Sequence, residues 1–450
     1  MMWWWYWVII VVASLCCVGA AVVLGGRKEE KEFSVGESTI RRMTRLAIEH
    51  GAVNLSQGFP NEAPPEALAT YGAGALLAGE SEATAVEAAR KLPKRGDPRD
   101  ALNQYSFPFG AGCLRRAVSG YYERVWGQRW EPETEITVVL GATEGFAATI
   151  RALTKPKDVV AFFEPFHELY PSQVALFYCE ARAVTLEPRA DGWRFDPRKL
   201  DAALRGARLL LYNSPHNPTG HAFDENERAI VARLCAKHGV TVVTDDIYEH
   251  VVFRRPHVPL STIVPRQSLV VVDSISKTCK ATGWRVGWVL ADEKNTAKIR
   301  AVHDQLVACG PTPLQVGVAK YLEEVTAAAL NEIADDYAPK RDCLVAALRR
   351  VGFDTGPPVD GAYYVFASYD NVKPIKNMSP LDAAMYLTAR IKGACAKGRE
   401  RVRDFLGRGR TTTEMALTSV HLKSHNKSTQ VAAVGRHACC VGVTGAGPGL

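Results

Sequence analysis

This sequence contains no Cys-x-x-Cys pair and no zinc-type ligand spacing, although it holds 11 cysteines. Cys16-Cys17 and Cys439-Cys440 are adjacent pairs, which suit neither a metal nor an ordinary disulfide framework. The scattered cysteines read as small buried apolar residues in a reducing compartment, and no metal is expected. A basic or acidic bias is also missing from most of the chain. The net charge is +7, and ten Lys/Arg against three Asp/Glu from Lys392 onward account for all of it. The chain before Lys392 is balanced, which argues against nucleic acid as the main partner.

Charge of either sign is absent from residues 1–26, where Met-Met-Trp-Trp-Trp-Tyr-Trp leads into Val8-Ile9-Ile10-Val11-Val12. That run is long enough to span a bilayer as one helix, with its aromatic residues crowded at one end. No basic stretch precedes it, which weakens the signal-peptide reading. The basic residues after it favour a cytosolic body. An anchor helix, a cleaved targeting segment and a misplaced gene start all stay open.

What is present is globular. Apolar residues make up 47% and charged residues 23%, and 450 residues suffice for two domains and a large core. Apolar runs at Ile136–Leu140, Val159–Phe163, Leu209–Tyr212, Val240–Thr244 and Leu269–Val272 read as buried strands. Helical stretches alternate with them, which predicts a mostly parallel sheet with helices on both faces. Further helices are expected at Leu314–Glu323, Ile333–Val351 and Leu381–Ile391, and Gly361–Phe366 reads as a strand of a smaller α+β domain.

The chemistry concentrates where those strands end. After Leu269–Val272 comes Ser274-Ile275-Ser276-Lys277, then Thr282-Gly283-Trp284-Arg285-Val286-Gly287. A lysine just past a buried strand sits where α/β enzymes place their chemistry. Ser274 can bond an anion, and Arg285 offers a planar fork suited to phosphate. Gly141-Ala142-Thr143-Glu144-Gly145 opens a helix with free backbone N–H groups, a weak phosphate-cradle signal by itself. Asp245 and Asp246 end another strand, with Tyr248 three residues after Asp245.

The segment around Lys277 resembles the Schiff-base lysine motif of the class I/II aminotransferases, fold-type I enzymes that use pyridoxal phosphate. The resemblance runs from about Ser34 to about Leu387. It includes Asn54-Leu55-Ser56-Gln57-Gly58-Phe59-Pro60, the Gly141–Gly145 turn, Asn213-Ser214-Pro215-His216-Asn217-Pro218-Thr219-Gly220 and Gly361-Ala362-Tyr363-Tyr364. It implies a large domain with a mostly parallel seven-stranded sheet sandwiched by helices, plus a smaller α+β domain. The expected divisions are an apolar segment 1–33, an arm and part of the small domain 34–68, a cofactor domain 69–305, the rest of the small domain 306–391, and a basic, disordered tail 392–450.

By resemblance, Lys277 forms the Schiff base with pyridoxal phosphate and then moves the substrate's α-proton. Asp245 pairs with the ring nitrogen, and Tyr248 and Asn217 bond the ring oxygen. His167 stacks on the ring, where the family more often has Phe, Tyr or Trp. Ala142, Thr143, Ser274 and Arg285 hold the phosphate. Tyr105 reaches across a homodimer interface to the neighbouring phosphate, and Gly58 and Asn217 line the substrate site. Asp246 is a lesser candidate, because its spacing to Tyr248 is wrong.

The implied activity is amino-group transfer between an amino acid and a 2-oxo acid. A lyase of the same fold and a non-catalytic membrane-tethered homologue are the alternatives. Past Ile391 the family's carboxylate-clamping arginine has no match, and Arg436 is a weak substitute. A frame shift or missed intron in the gene is the simplest account of that departure.

Overall fold

The computed structural model describes residues 106–387 apart from 255 and 308, the backbone of 388–395, 415–422 and 438–445, and scattered positions between 43 and 74. All of these fall in one compact unit, residues 36–450. The apolar segment 1–26, Gly58, Tyr105 and Arg436 lie outside the described residues. Among the described residues, no helix is long and apolar enough to cross a membrane.

Eight strands form the main sheet: β1 (Ile136–Val139), β2 (Val159–Glu164), β3 (Glu180–Arg189), β4 (Gly192–Phe195), β5 (Ala207–Asn213), β6 (Thr241–Asp245), β7 (Leu269–Ser274) and β8 (Gly287–Ala291). Their order is β1-β8-β7-β6-β5-β2-β3-β4. The central pairs β3·β2, β2·β5, β5·β6 and β6·β7 are parallel, whereas β8 runs antiparallel between β7 and β1. The fold is therefore the expected α/β sheet sandwiched by helices, with eight strands rather than seven. The extra strand is β4, a short return that pairs Phe195 with Leu186 and Gly192 with Arg189 at the sheet edge. Its four residues are too few to give a periodic signal in the sequence.

The sheet is buried on both faces, as its continuous apolar strands require. Alternate residues of each strand enter different cores. Leu210, Tyr212 and Val271 pack in one; Leu209, Leu211, Val270 and Val272 pack in the other. The helices covering the sheet include α1 (Gly112–Trp126), α2 (Ala142–Leu153), α3 (Leu169–Leu176), α4 (Pro197–Leu204) and α5 (Glu225–His238). Helix α5 shows how local sequence sets the boundaries. Asp224 caps its start in a reciprocal pair with Glu227, and Gly239 ends it in the left-handed region at φ 65°.

After β7 come the four-residue α6 (Ile275–Thr278), then α7 (Glu293–Val307), α8 (Thr312–Glu324), α9 (Ala327–Arg350) and α10 (Pro380–Cys395). A third core gathers Leu344, Leu348, Val365, Ala367 and Tyr369 around β9 (Tyr364–Ser368). This strand pairs antiparallel with β11 (Ala438–Gly445), which pairs with β10 (Met415–Leu422). Here the structure departs from the disordered tail expected for 392–450. Cys439, Val441 and Val443 recur at alternate positions of β11, a strand pattern that the basic composition of the segment masks.

Close backbone contact joins β1, β7 and β8 at the edge where the site lies. A Cβ on Gly287 would come within 2.7 Å of the Asp273 carbonyl oxygen and 3.0 Å of the Gly141 backbone. Neither neighbour is a side chain that can swing away. Gly287→Ala is expected to destabilise the fold by about 1–3 kcal/mol, the usual penalty for forcing a methyl into packed surroundings. Urea unfolding checks this: the midpoint should fall with an unchanged slope.

Candidate active site

Chain order reverses beside β2. From β2 the chain steps outward to β3, then returns to the other side of β2 for β5, β6 and β7. The carboxyl ends of β2, β5, β6 and β7 open at one edge of the sheet, the place where open α/β sheets bind ligands. The register brings the chemistry together there. Asn213 pairs with Asp245, Asp245 with Val272, and Ser274 with Gly287, which also faces Val139.

Lys277 lies half-buried in α6, a helix begun by Ser274, whose hydroxyl accepts from the Ser276 amide at 3.3 Å. Burial pushes the Lys277 amine down to about 8; the Arg285 charge adds to this and Asp245 opposes it. The Tyr363 hydroxyl donates to the Lys277 carbonyl at 2.9 Å and fixes the turn from the small-domain side.

Arg285 sits in the left-handed region at φ 53°, just before β8. Its guanidinium donates to Thr282 O at 3.1 Å and to Leu140 O at 3.0 Å. It therefore lies across the Gly141 turn, where a Cβ would come within 2.5 Å of Arg285 Nη2. Gly141 itself has φ 74° and leads into α2 without a side-chain cap. The first amides of α2, at Ala142 and Thr143, thus stand beside a guanidinium. This is an anion cradle made of a helix terminus and a cation.

Asp245 is buried at the end of β6. Its Oδ2 accepts from the Tyr170 hydroxyl of α3, while Oδ1 has no hydrogen-bond partner among the described residues. Burial pushes this carboxyl up to about 6, while the Tyr170 hydrogen bond, a backbone contact from Ile247 and the Lys277 charge pull it back. Asn213 ties the neighbouring strands together: its amide donates to Asp245 O at 2.9 Å and accepts from Asn217 N at 2.6 Å. Asn217 is also buried, with an Oδ1 that has no partner among the described residues. The Tyr248 hydroxyl meets that of Tyr364 at 2.8 Å. His167 stands at the mouth of β2, its ring centre 5.9 Å from that of Tyr170.

The structure thus gathers Lys277, Asp245, Asn217, Tyr248, Ser274, Arg285, Ala142, Thr143 and His167 at one sheet edge. Asp246 falls elsewhere: its Oδ2 accepts from Thr244 at 3.0 Å, and its charge lies near Glu249. Four neighbours of the site were not singled out from the sequence for a role there. Asn213 stood in a quoted motif, and Tyr170 follows His167 by three residues, so both carried a local signal. Tyr363 and Tyr364 stood in the Gly361–Tyr364 motif but read there only as a strand of the smaller domain.

The donor set fits pyridoxal phosphate. Asp245 Oδ1 is an orphaned buried acceptor suited to a protonated ring nitrogen, the Gly141 turn and Arg285 suit the phosphate, and a neutral-prone amine suits the aldehyde. Sheet order and site together define an aminotransferase of fold type I. The model of the family aminotransferase class I and II matches residues 71–411, and the chain belongs to that family. That match begins well after Ser34 and continues past Leu387, where the quoted resemblance ended.

The chain is similar to the Mycobacterium tuberculosis protein named probable N-succinyldiaminopimelate aminotransferase, 33% identical over 69% of this chain and 73% of the relative. It is similar to methionine aminotransferase of Escherichia coli, 31% identical over 76% of this chain and 83% of the relative. A solved Mycobacterium tuberculosis N-succinyldiaminopimelate aminotransferase superposes with a TM-score of 0.67 at 30% identity, covering 77% of this chain and 84% of that one. The protein is an aminotransferase, and its family works with pyridoxal phosphate to move amino groups between amino acids and oxo acids.

Tyr170→Phe removes the donor to Asp245 Oδ2 without changing the ring. A hydrogen bond to a charged group contributes about 1.5–3 kcal/mol, so cofactor affinity is expected to fall about tenfold or more. Fluorescence titration of cofactor-free protein with pyridoxal phosphate measures this. Unchanged affinity would remove Tyr170 from the site.

Proposed function

We propose that Lys277 is the amine that binds pyridoxal phosphate and then moves the substrate's α-proton as this enzyme passes an amino group from an L-amino acid to a 2-oxo acid. One observation carries the reading: a half-buried amine pushed down to about 8 shares a sheet edge with a buried carboxylate whose Oδ1 has no partner among the described residues. Pyridoxal phosphate, when bound, supplies an aldehyde carbon for amine exchange and a ring that draws electrons from the substrate's Cα.

The residues divide the remaining work. Asp245 would hold a proton on the ring nitrogen, with Tyr170 and Asn213 keeping the carboxylate in place. Asn217 and Tyr248 would face the ring oxygen, and His167 would lie on the ring face. Ala142, Thr143, Ser274 and Arg285 would hold the phosphate. Gly58 would lie against the substrate carboxylate, and Tyr105 would serve the neighbouring subunit of a homodimer. We assign 69–305 to the cofactor domain, with 34–68 and 306–391 forming the smaller one.

A general base must be neutral before it takes a proton, and an ordinary lysine, with a pKa of about 10.4, rarely is near neutral pH. Lowering the Lys277 amine to about 8 makes a substantial neutral fraction available there. The sign follows directly: raising pH through about 8 removes the proton and gains the active form.

Stopped-flow absorbance of cofactor-free protein mixed with pyridoxal phosphate should show linkage formation rising with pH, with a midpoint near 8. A profile that rises only near pH 10, as for an ordinary lysine, would contradict the assignment. Lys277→Ala should lose the borohydride-reducible link and slow transamination by at least about 10²–10⁴-fold, the range for a general acid–base group. Turnover should require a 2-oxo acid acceptor; acceptor-independent release of a side-chain fragment would identify a lyase instead.

A further inference from the structure

His221 is fully buried immediately after the Asn213–Gly220 loop, and both of its ring nitrogens face carboxylates. Nε2 lies 3.0 and 3.2 Å from the two Glu227 oxygens, and Nδ1 lies 3.3 Å from Asp360 Oδ2. A neutral imidazole has one N–H and one lone pair. It would aim the lone pair at one carboxylate, whereas an imidazolium donates to both.

Other charges surround this group. Arg254 donates to Asp360 Oδ1 at 3.0 Å, and Arg194 lies 3.4 Å from Glu227, 3.6 Å from Asp224 and 2.8 Å from Asp191. His216 is a further titratable neighbour; its ring is kept neutral by burial and by the His221 charge. Burial works against a charged His221, but the hydrogen bonds and charges of Asp360 and Glu227 outweigh it and hold its pKa above the ordinary histidine value.

Asp360 opens the Gly361-Ala362-Tyr363-Tyr364 segment. Its amide and that of Gly361 both donate to Gly220 O, at 3.0 and 2.8 Å, and its carbonyl accepts from Phe253 at 2.7 Å. Gly361 has no room for a side chain, because a Cβ would come within 2.5 Å of Val251 O. Three and four residues beyond Asp360 come the tyrosines that contact Lys277 O and the Tyr248 hydroxyl. A continuous path therefore runs from His221 to the site.

We propose that His221, as an imidazolium, is a positioning residue for amino-group transfer: it ties Asp360 to Glu227 and so holds Tyr363 and Tyr364 against Lys277 and Tyr248. The proposal rests on the reading of Lys277 and Tyr248 as site residues. It carries a sign of its own. A histidine whose folded pKa is raised contributes fully below its ordinary value and loses that contribution as pH rises through the folded value. The Lys277 amine gains its working form over the alkaline range, so the two groups act in opposite directions.

The test uses the full chain with His221→Gln and His221→Lys. Amide hydrogen exchange of the 359–366 segment, corrected for intrinsic rates, is followed without cofactor from about pH 6 to about pH 9, across the ordinary histidine range. kcat and KM are measured over the same range with cofactor. We expect His221→Gln to exchange this segment faster near neutrality, with the difference narrowing on the alkaline side, and to lose about 10–100-fold in kcat near neutrality with less change in KM, as a misplaced site would. His221→Lys, charged throughout, should keep the wild-type rate near neutrality and lack the wild-type loss on the alkaline side.

Wild-type exchange and kcat in His221→Gln, or an unchanged alkaline loss in His221→Lys, would overturn the proposal. Should His221→Gln not fold by circular dichroism, the His221→Lys profile decides. The exchange readout needs no cofactor, so it judges the tie even if Lys277→Ala keeps its activity and the site reading fails.

Discussion

Two ionisable groups drawn toward their neutral forms, the half-buried Lys277 amine and the buried Asp245 carboxyl, set the conditions for everything around them. Each is shifted toward its neutral form by burial, and each is partly restored by the charge of the other. That balance depends on the register of β5, β6 and β7, because one residue of slip turns a side chain to the opposite face. Asn213 secures the register where it matters, with one amide spanning the Asp245 carbonyl and the Asn217 N–H. Asp245 Oδ1 and Asn217 Oδ1 are among the buried oxygens without hydrogen-bond partners among the described residues, and these two lie at the strand ends beside Lys277.

The Gly141 turn is built by different physics. There glycines let backbone approach backbone, and one large side chain, Arg285, lies across them. Gly141, Gly145 and Gly287 bring β1, β7, β8 and the start of α2 so close together that a methyl group at Gly141 or Gly287 would collide. Helix α2 keeps its first amides free of any side-chain cap, and Arg285 covers the turn with a guanidinium held by two carbonyls. Fixed dipoles and one charge so arranged need little reorganisation to receive an anion.

The smaller domain closes the site from the other side. Its strand β9 begins where Tyr363 and Tyr364 reach Lys277 O and Tyr248, and the preceding Asp360 lies against the buried His221. Charge deep in a protein is expensive unless it is paired and hydrogen-bonded. The His221, Glu227, Asp360, Arg194 and Arg254 group meets that requirement by mixing signs across four separate segments. The price of this arrangement is sensitivity to protonation, since the ring can donate to both carboxylates only while it carries its second proton.

Much of this was legible in the sequence. Buried strands announce themselves as apolar runs of four or five residues, and β2, β5, β6 and β7 all did so. The residues at their ends were readable because Ser274 to Arg285 and Asn213 to Gly220 are contiguous strings whose chemistry is local. What the sequence left open depends on chain segments meeting across long separations. Tyr170 finds Asp245 75 positions away, Tyr363 finds Lys277 86 away, and His221 finds Asp360 139 away. No local pattern encodes those meetings. They follow from the strand order, which places the ends of β2 and β6 at one edge, and from the path of the chain between Val251 and Gly361, which lays the small-domain segment over it. Sequence alone picked out the residues that stand together at the strand ends; the tertiary structure decided which of their neighbours hold them, because hydrogen-bond partners are chosen by distance in space and not along the chain.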